Sequence, residues 1–224
     1  MVISGPLSTI KERAELRVSS LTRDYSNKER KIINKAINGP GDVEKIVARC
    51  GTDTVQRGLM QTLKPGIWLN DEIIHQFYNL LSIRDKQLCM KHPTTRHRTY
   101  FGKSFFITKI LNEYHPDKDG QYEYKNVASW SKNVPGEDIF NLDKIILPIN
   151  MGNMHWIVAV IFMRKKRIEI FDSFGSDGIR YLHTLFRYIQ DEHQDKKRTA
   201  LPDINGWKLI PTQKKTPRQR NGTC

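Results

Sequence analysis

The 224-residue chain carries 37 Lys and Arg against 24 Asp and Glu, a formal net charge of +13, with 38% hydrophobic and 9% aromatic residues. This is enough apolar material for one folded domain, or a domain with a short extension, and it excludes a disordered polyelectrolyte. No run of 18 apolar residues is present and the N-terminus lacks the apolar stretch of a signal peptide, so no membrane association is expected.

The chain falls into a polar, basic segment over 1–50 and an organised region over 51–224. Within the first, Asn27–Asn38 has a helical pattern, with Ile32, Ile33, Ala36 and Ile37 on one side and Asn38-Gly39-Pro40 as its stop. A second short helix is expected over Val43–Arg49, and another over Val55–Leu63. Asn70 is a natural N-cap, with Asp71 and Glu72 in the favourable first turn. Ile73, Ile74, Phe77, Leu80 and Leu81 then mark an amphipathic helix over 71–82. Residues 84–100, basic and poor in apolar groups, are expected to form a loop. Short helical stretches follow over Phe105–Leu111 and Val127–Lys132.

The strongest pattern lies in 144–172. Lys144–Ile149 reads as a strand whose proline, Pro148, argues for an edge or an irregularity. Trp156–Met163 is almost wholly apolar and β-branched, the mark of a strand buried on both faces. Arg167–Phe171 alternates, and the basic Arg164–Arg167 break makes 156–171 a hairpin. A helix over 178–192 and a short strand over Trp207–Ile210 complete an α+β pattern.

The basic excess concentrates at that hairpin tip and in 196–220, where eight basic residues accompany one acid, Asp203. It suits an acidic partner. Neither segment interleaves aromatics with charge as a base-stacking surface would, so nucleic acid is not the expected ligand. The three cysteines, at 50, 89 and 224, form no Cys-x-x-Cys pair. That spacing gives no thiolate zinc site, and no metal or cofactor is expected. The cysteine usage suits a reducing compartment, so the expected location is intracellular; net charge does not decide between nucleus and cytosol.

Thiol hydrolysis needs a cysteine, a histidine to take its proton, a group that holds the imidazole, and donors for the oxyanion. His155 opens the buried strand and Asp172 closes the returning one, so an antiparallel hairpin brings the two ends together. On geometry alone this pair is either catalytic or a structural hydrogen bond. Gln219 stands a few residues before Cys224, with Asn221-Gly222 as a turn between them.

The ordered segments TLKPGIWLNDEIIHQFYNLL, KSFFITKIL, YKNVASWSK, DKIILPINMGNMHWIVAVIFMRKKRIEIFDSFGSDG, NGWKLIP and PRQRNGTC resemble the SUMO-specific cysteine proteases of the Ulp/SENP family over about residues 54–224. The resemblance implies a papain-like fold and cleavage after the Gly-Gly tail of a SUMO-like modifier, by deconjugation or precursor processing. His155 would be the catalytic histidine, Asp172 the triad acid, Gln219 the oxyanion donor and Cys224 the nucleophile. Trp68 and Trp156 would enclose the Gly-Gly tail, and Asp71 would meet the modifier's surface. The family pattern Gln-x-Asn-Gly-x-Asp-Cys-Gly is matched with one residue missing: Thr223 precedes Cys224 directly, so in strict register Cys224 stands where the family has Asp. The expectation is therefore a family domain incomplete at its C-terminus, with a thiol that lacks the activating helix N-terminus. Two further readings stand beside the protease. One is an impaired or inactive relative that only binds the modifier; the other is a non-functional fragment.

Overall fold

A computed structural model describes residues 24–214 and 216–218. The first helix, α1 (Asn27–Asn38), has the bounds that its sequence pattern gives. Ser26 and Glu29 close a capping box at its start. At its other end the buried guanidinium of Arg57 donates to the carbonyls of Lys35 at 3.0 Å and Gly39 at 3.4 Å. That cation at a helix C-terminus fastens α1 to the rest of the chain.

Val43–Arg49 is not a helix. Residues Ile46–Cys50 form β1, which pairs antiparallel with β2 (Asp53–Gln56) around Gly51, whose φ is +61°. The hairpin wins because Ile46 and Val47 are β-branched and Gly51 supplies the left-handed turn. Val55–Leu63 begins as strand and becomes helical only at α2 (Arg57–Met60) and a 3-10 turn at Gln61–Leu63.

The amphipathic helix is α3 (Asp71–Lys91), capped by the Asn70 side chain on Ile73 N–H at 2.9 Å. It runs nine residues past Ser82, through the stretch expected to be loop. The last turns are rich in Lys, Gln, Leu and Met, which favour helix without needing an apolar face. They are also held by a buried charge. Asp85 accepts from Thr99 N–H at 3.0 Å, Arg98 Nε at 3.1 Å and Arg96 Nη2 at 3.2 Å. This gathers 96–99 against the helix and starts β3 (Thr99–Phe101) within the same expected loop. The short helix α4 (Phe106–Ile110) and a series of 3-10 turns lead to the sheet.

Strands β4 (Lys144–Met151), β5 (His155–Phe162), β6 (Arg167–Phe171) and β7 (Lys208–Ile210) join β3 in one sheet, in chain order. The pairings β4–β5 and β5–β6 are antiparallel; β3–β4 and β6–β7 are parallel. Register places Ile145 opposite Ile161, Leu147 opposite Ala159, Ile149 opposite Ile157, and Ile168 and Ile170 beside Ile161 and Ala159. All eight are fully or nearly fully buried on one face, against Tyr181, Leu182, Leu185, Tyr188 and Ile189 of α5 (Ile179–Lys197). Pro148 lies beyond the Phe101–Ile146 pair that ends β3, where β4 is locally an edge and the missing N–H costs no ladder bond. The fold is α+β, as the change of period implies. Among the described residues, no helix is long and apolar enough to cross a membrane.

Asp85 is the polar anchor between α3 and β3. Asp85→Ala should lower unfolding stability by about 2–4 kcal/mol, because Thr99 N–H is left buried without an acceptor. Asp85→Asn keeps that acceptor and should lose less. Chemical denaturation of the three proteins checks the order.

Candidate active site

The site sits at the end of the sheet where β4 turns into β5. Gly152 and Asn153 both adopt φ of 58°, a pairing of residue types that suits a tight turn between strands. This delivers His155 as the first residue of β5. Phe171, the last residue of β6, pairs with Val158. One further step along that register sets Asp172 opposite Ile157, with His155 two residues on and on the same face. Diagonal neighbours of this kind lie within side-chain reach. His155 Nε2 and Asp172 Oδ1 are 2.7 Å apart, with the imidazole 10% exposed and the aspartate fully buried.

A buried carboxylate needs several donors. Asp172 has Phe174 N–H on Oδ1 at 2.8 Å, Ser176 N–H on Oδ2 at 2.8 Å, the Ser176 hydroxyl on Oδ2, and His155. Burial alone would raise its pKa. The bonds from the Ser176 hydroxyl, His155 and the two backbone N–H groups outweigh burial and hold it well below the usual carboxylate range. Asp172 is therefore an anion that accepts, so His155 donates from Nε2 and keeps Nδ1 as the proton acceptor. The imidazole also stacks on Phe174, with ring centroids 4.2 Å apart and planes inclined by 18°.

The other expected residues fall around this pair. Trp156 points to the opposite face from His155, and its indole Nε1 donates to the Leu69 carbonyl at 2.9 Å. That bond ties the start of β5 to the segment just before α3, next to Trp68. Trp68 itself is 53% exposed, so it is not a core residue. Asp71, on the first turn of α3, shares a cavity of about 210 Å³ with Phe105, Tyr114, Asn150 and Trp156. Gln219 and Cys224 lie outside the described residues. Arg218, immediately before Gln219, reaches Asp172, with Nη1 3.4 Å from the Asp172 carbonyl.

Cys89, within the stretch expected to be loop, is on α3, with Sγ 3.8 Å from Asp85 Oδ2. Burial first, and then the Asp85 carboxylate, push its thiol above the ordinary value, against nucleophilic use. Sequence reasoning missed Phe174, Ser176 and Arg218. Ser176 had a signal: an aspartate followed by a Gly-containing polar turn tends to accept from the N–H groups of that turn. Nothing in the sequence marks Phe174 or Arg218.

The Asp172 carboxyl ionises at lower pH in the native protein than in the unfolded chain. Its contribution is therefore fully present above the unfolded value of about 3.9, and is lost as pH falls toward the lower native value. Asp172→Asn should destabilise the protein at neutral pH on the order of 2–3 kcal/mol. Urea melts of both proteins between neutral and acid pH should show the difference shrinking once the pH drops below that of an ordinary aspartate. A difference that stays constant with pH would contradict the assignment.

Comparisons with known proteins identify the family. Residues 67–223 match the model of the Ulp1 protease family, C-terminal catalytic domain. Ubiquitin-like-specific protease 1A of Arabidopsis thaliana is 35% identical over 165 residues, covering 73% of this chain and 30% of that protein. Sentrin-specific protease 2 of Homo sapiens is 32% identical over 213 residues, covering 95% of this chain and 32% of its own. The chain thus spans about a third of the length of these two relatives. Among solved structures, the C-terminal Ulp1 protease domain in complex with Smt3, the yeast ortholog of SUMO, superposes with a TM-score of 0.64 at 25% identity, covering 90% of this chain and 79% of that one. The Chaetomium thermophilum Ulp1-like SUMO protease catalytic domain shares the fold, with a TM-score of 0.66 at 20% identity, covering 90% and 75%. With the family model matching most of the chain and two relatives above 30% identity over more than two thirds of it, the chain belongs to the Ulp1 protease family.

Proposed function

We propose that the protein is a cysteine protease that hydrolyses the bond after the Gly-Gly tail of a SUMO-like modifier. The observation that carries this reading is the 2.7 Å contact between His155 Nε2 and a fully buried, ionised Asp172. An imidazole held this way has one tautomer, and its second nitrogen has no hydrogen-bond partner among the described residues, as suits a general base.

In this reading Nδ1 of His155 takes the proton of the Cys224 thiol. The thiolate attacks the carbonyl of the terminal glycine, and the tetrahedral oxyanion is met by the side-chain amide of Gln219. The imidazolium then gives its proton to the leaving amine, and water hydrolyses the thioester. Support for the tail channel comes from Trp156, whose indole is fixed on Leu69 beside the exposed Trp68. Two flat indoles would admit glycines and reject larger side chains. Asp71, beside Trp156 in the shared cavity, would face the modifier. We assign the protein to the nucleus rather than the cytoplasm, a reading that rests on its family and not on its charge.

The test is a SUMO fusion with a reporter after its Gly-Gly. The protein should release the reporter at that bond, and His155→Gln should slow turnover by roughly 10³-fold. Trp68→Ala should weaken SUMO binding by about tenfold in calorimetry, about 1.4 kcal/mol. SUMO bound tightly with the fusion left intact would make the protein a binding module. A folded protein that neither binds nor cuts would overturn the proposal altogether.

A further inference from the structure

A single hydrogen bond fixes one atom of an imidazole and leaves the ring free to swing about its Cβ–Cγ bond. His155 has a second restraint. Phe174 covers one face of its ring, nearly parallel, at a centroid distance of 4.2 Å. Phe174 is 51% exposed, so core burial does not account for its position.

What holds Phe174 is the loop that carries it. Its own N–H donates to Asp172 Oδ1, the oxygen that also accepts from His155. Ser176 N–H donates to the other oxygen, and Thr212 Oγ1 donates to the Ser176 carbonyl at 2.8 Å. Between them Gly175 has φ of +75°, and the Arg218 guanidinium occupies the space where a side chain at that position would begin. Only glycine satisfies both conditions. The carboxylate that orients the imidazole therefore also sets the backbone of the residue stacked on it.

We propose that Phe174 is a positioning residue: its ring is a wall that keeps the His155 imidazole in plane with Asp172 and keeps water from the Nε2–Oδ1 bond. The catalytic consequence rests on the proposed protease function; the structural one does not. The wall continues to act after proton uptake, since an aromatic face attracts a cation. A flat ring is needed, and a branched aliphatic of similar volume cannot supply it.

The test uses Phe174→Ala, Phe174→Leu and Phe174→Trp, with circular dichroism to confirm that each is folded. The first readout is exchange of the His155 Nε2 proton with water by 15N NMR, which requires no activity. Exchange should be at least about tenfold faster in the Ala and Leu variants and close to wild type in Trp. The second is turnover of the SUMO fusion, where Ala and Leu should lower kcat by about tenfold with KM nearly unchanged, and Trp should restore it. Wild-type exchange and kcat in the Ala variant would overturn the inference and leave the protease reading standing. Faster exchange in the Ala variant of a protein that cuts nothing would support the wall and overturn the protease reading instead.

Discussion

A carboxylate with no exposure to water organises one end of this molecule. Asp172 can be an anion there only because four donors converge on it: an imidazole, a hydroxyl and two backbone N–H groups. The donors come from two places in the fold, the start of β5 and the turn that follows β6. The imidazole depends on the β5–β6 register, the N–H groups on the turn at Gly175, and the hydroxyl on Ser176 within that turn. Removing the charge would release all of them at once. The local geometry of the site is thus a consequence of solvating one buried charge without water.

The sheet gives that charge a rigid frame. Its central strands bury isoleucine and leucine on the α5 face, so a slip of one residue in β5 or β6 would turn these side chains to the other face. Such a slip would also part His155 from Asp172. The same register collects charge at the opposite end of the sheet. Lys144, Lys165 and Arg167 all lie within 6 Å of the Phe162 ring. The basic hairpin tip thus does meet an aromatic ring in space, although local sequence shows none among the charges. The carboxylates of Asp143 and Glu169, paired with Lys144 and Arg167, temper that concentration.

Much of this was legible in sequence where one signal dominated. Asn27–Asn38 combined a capping residue, a helical apolar pattern and an Asn-Gly-Pro stop, and the helix has those bounds. The β5 and β6 strands announced themselves by β-branched runs on either side of a polar break, and that hairpin was sufficient to pair His155 with Asp172. The misreadings arose where tertiary partners decide. The end of α3 and the start of β3 depend on Asp85, whose arginine partners sit 11 and 13 residues away and show no periodicity. Likewise β1 is a strand because β2 pairs with it, which a short polar-apolar run cannot reveal. Phe174 and Arg218 are visible only once the loop is folded, because their contacts are to a ring and to a glycine.

The central claim is that His155, oriented by Asp172, activates Cys224 toward a SUMO-like Gly-Gly tail. Covalent trapping tests it most directly, with a SUMO protein carrying a thiol-reactive electrophile at its C-terminal glycine and the site of attachment read by mass spectrometry. The account predicts one adduct, on Cys224, formed at a rate that collapses in His155→Gln. An adduct on Cys50 or Cys89, or formation indifferent to His155, would contradict it.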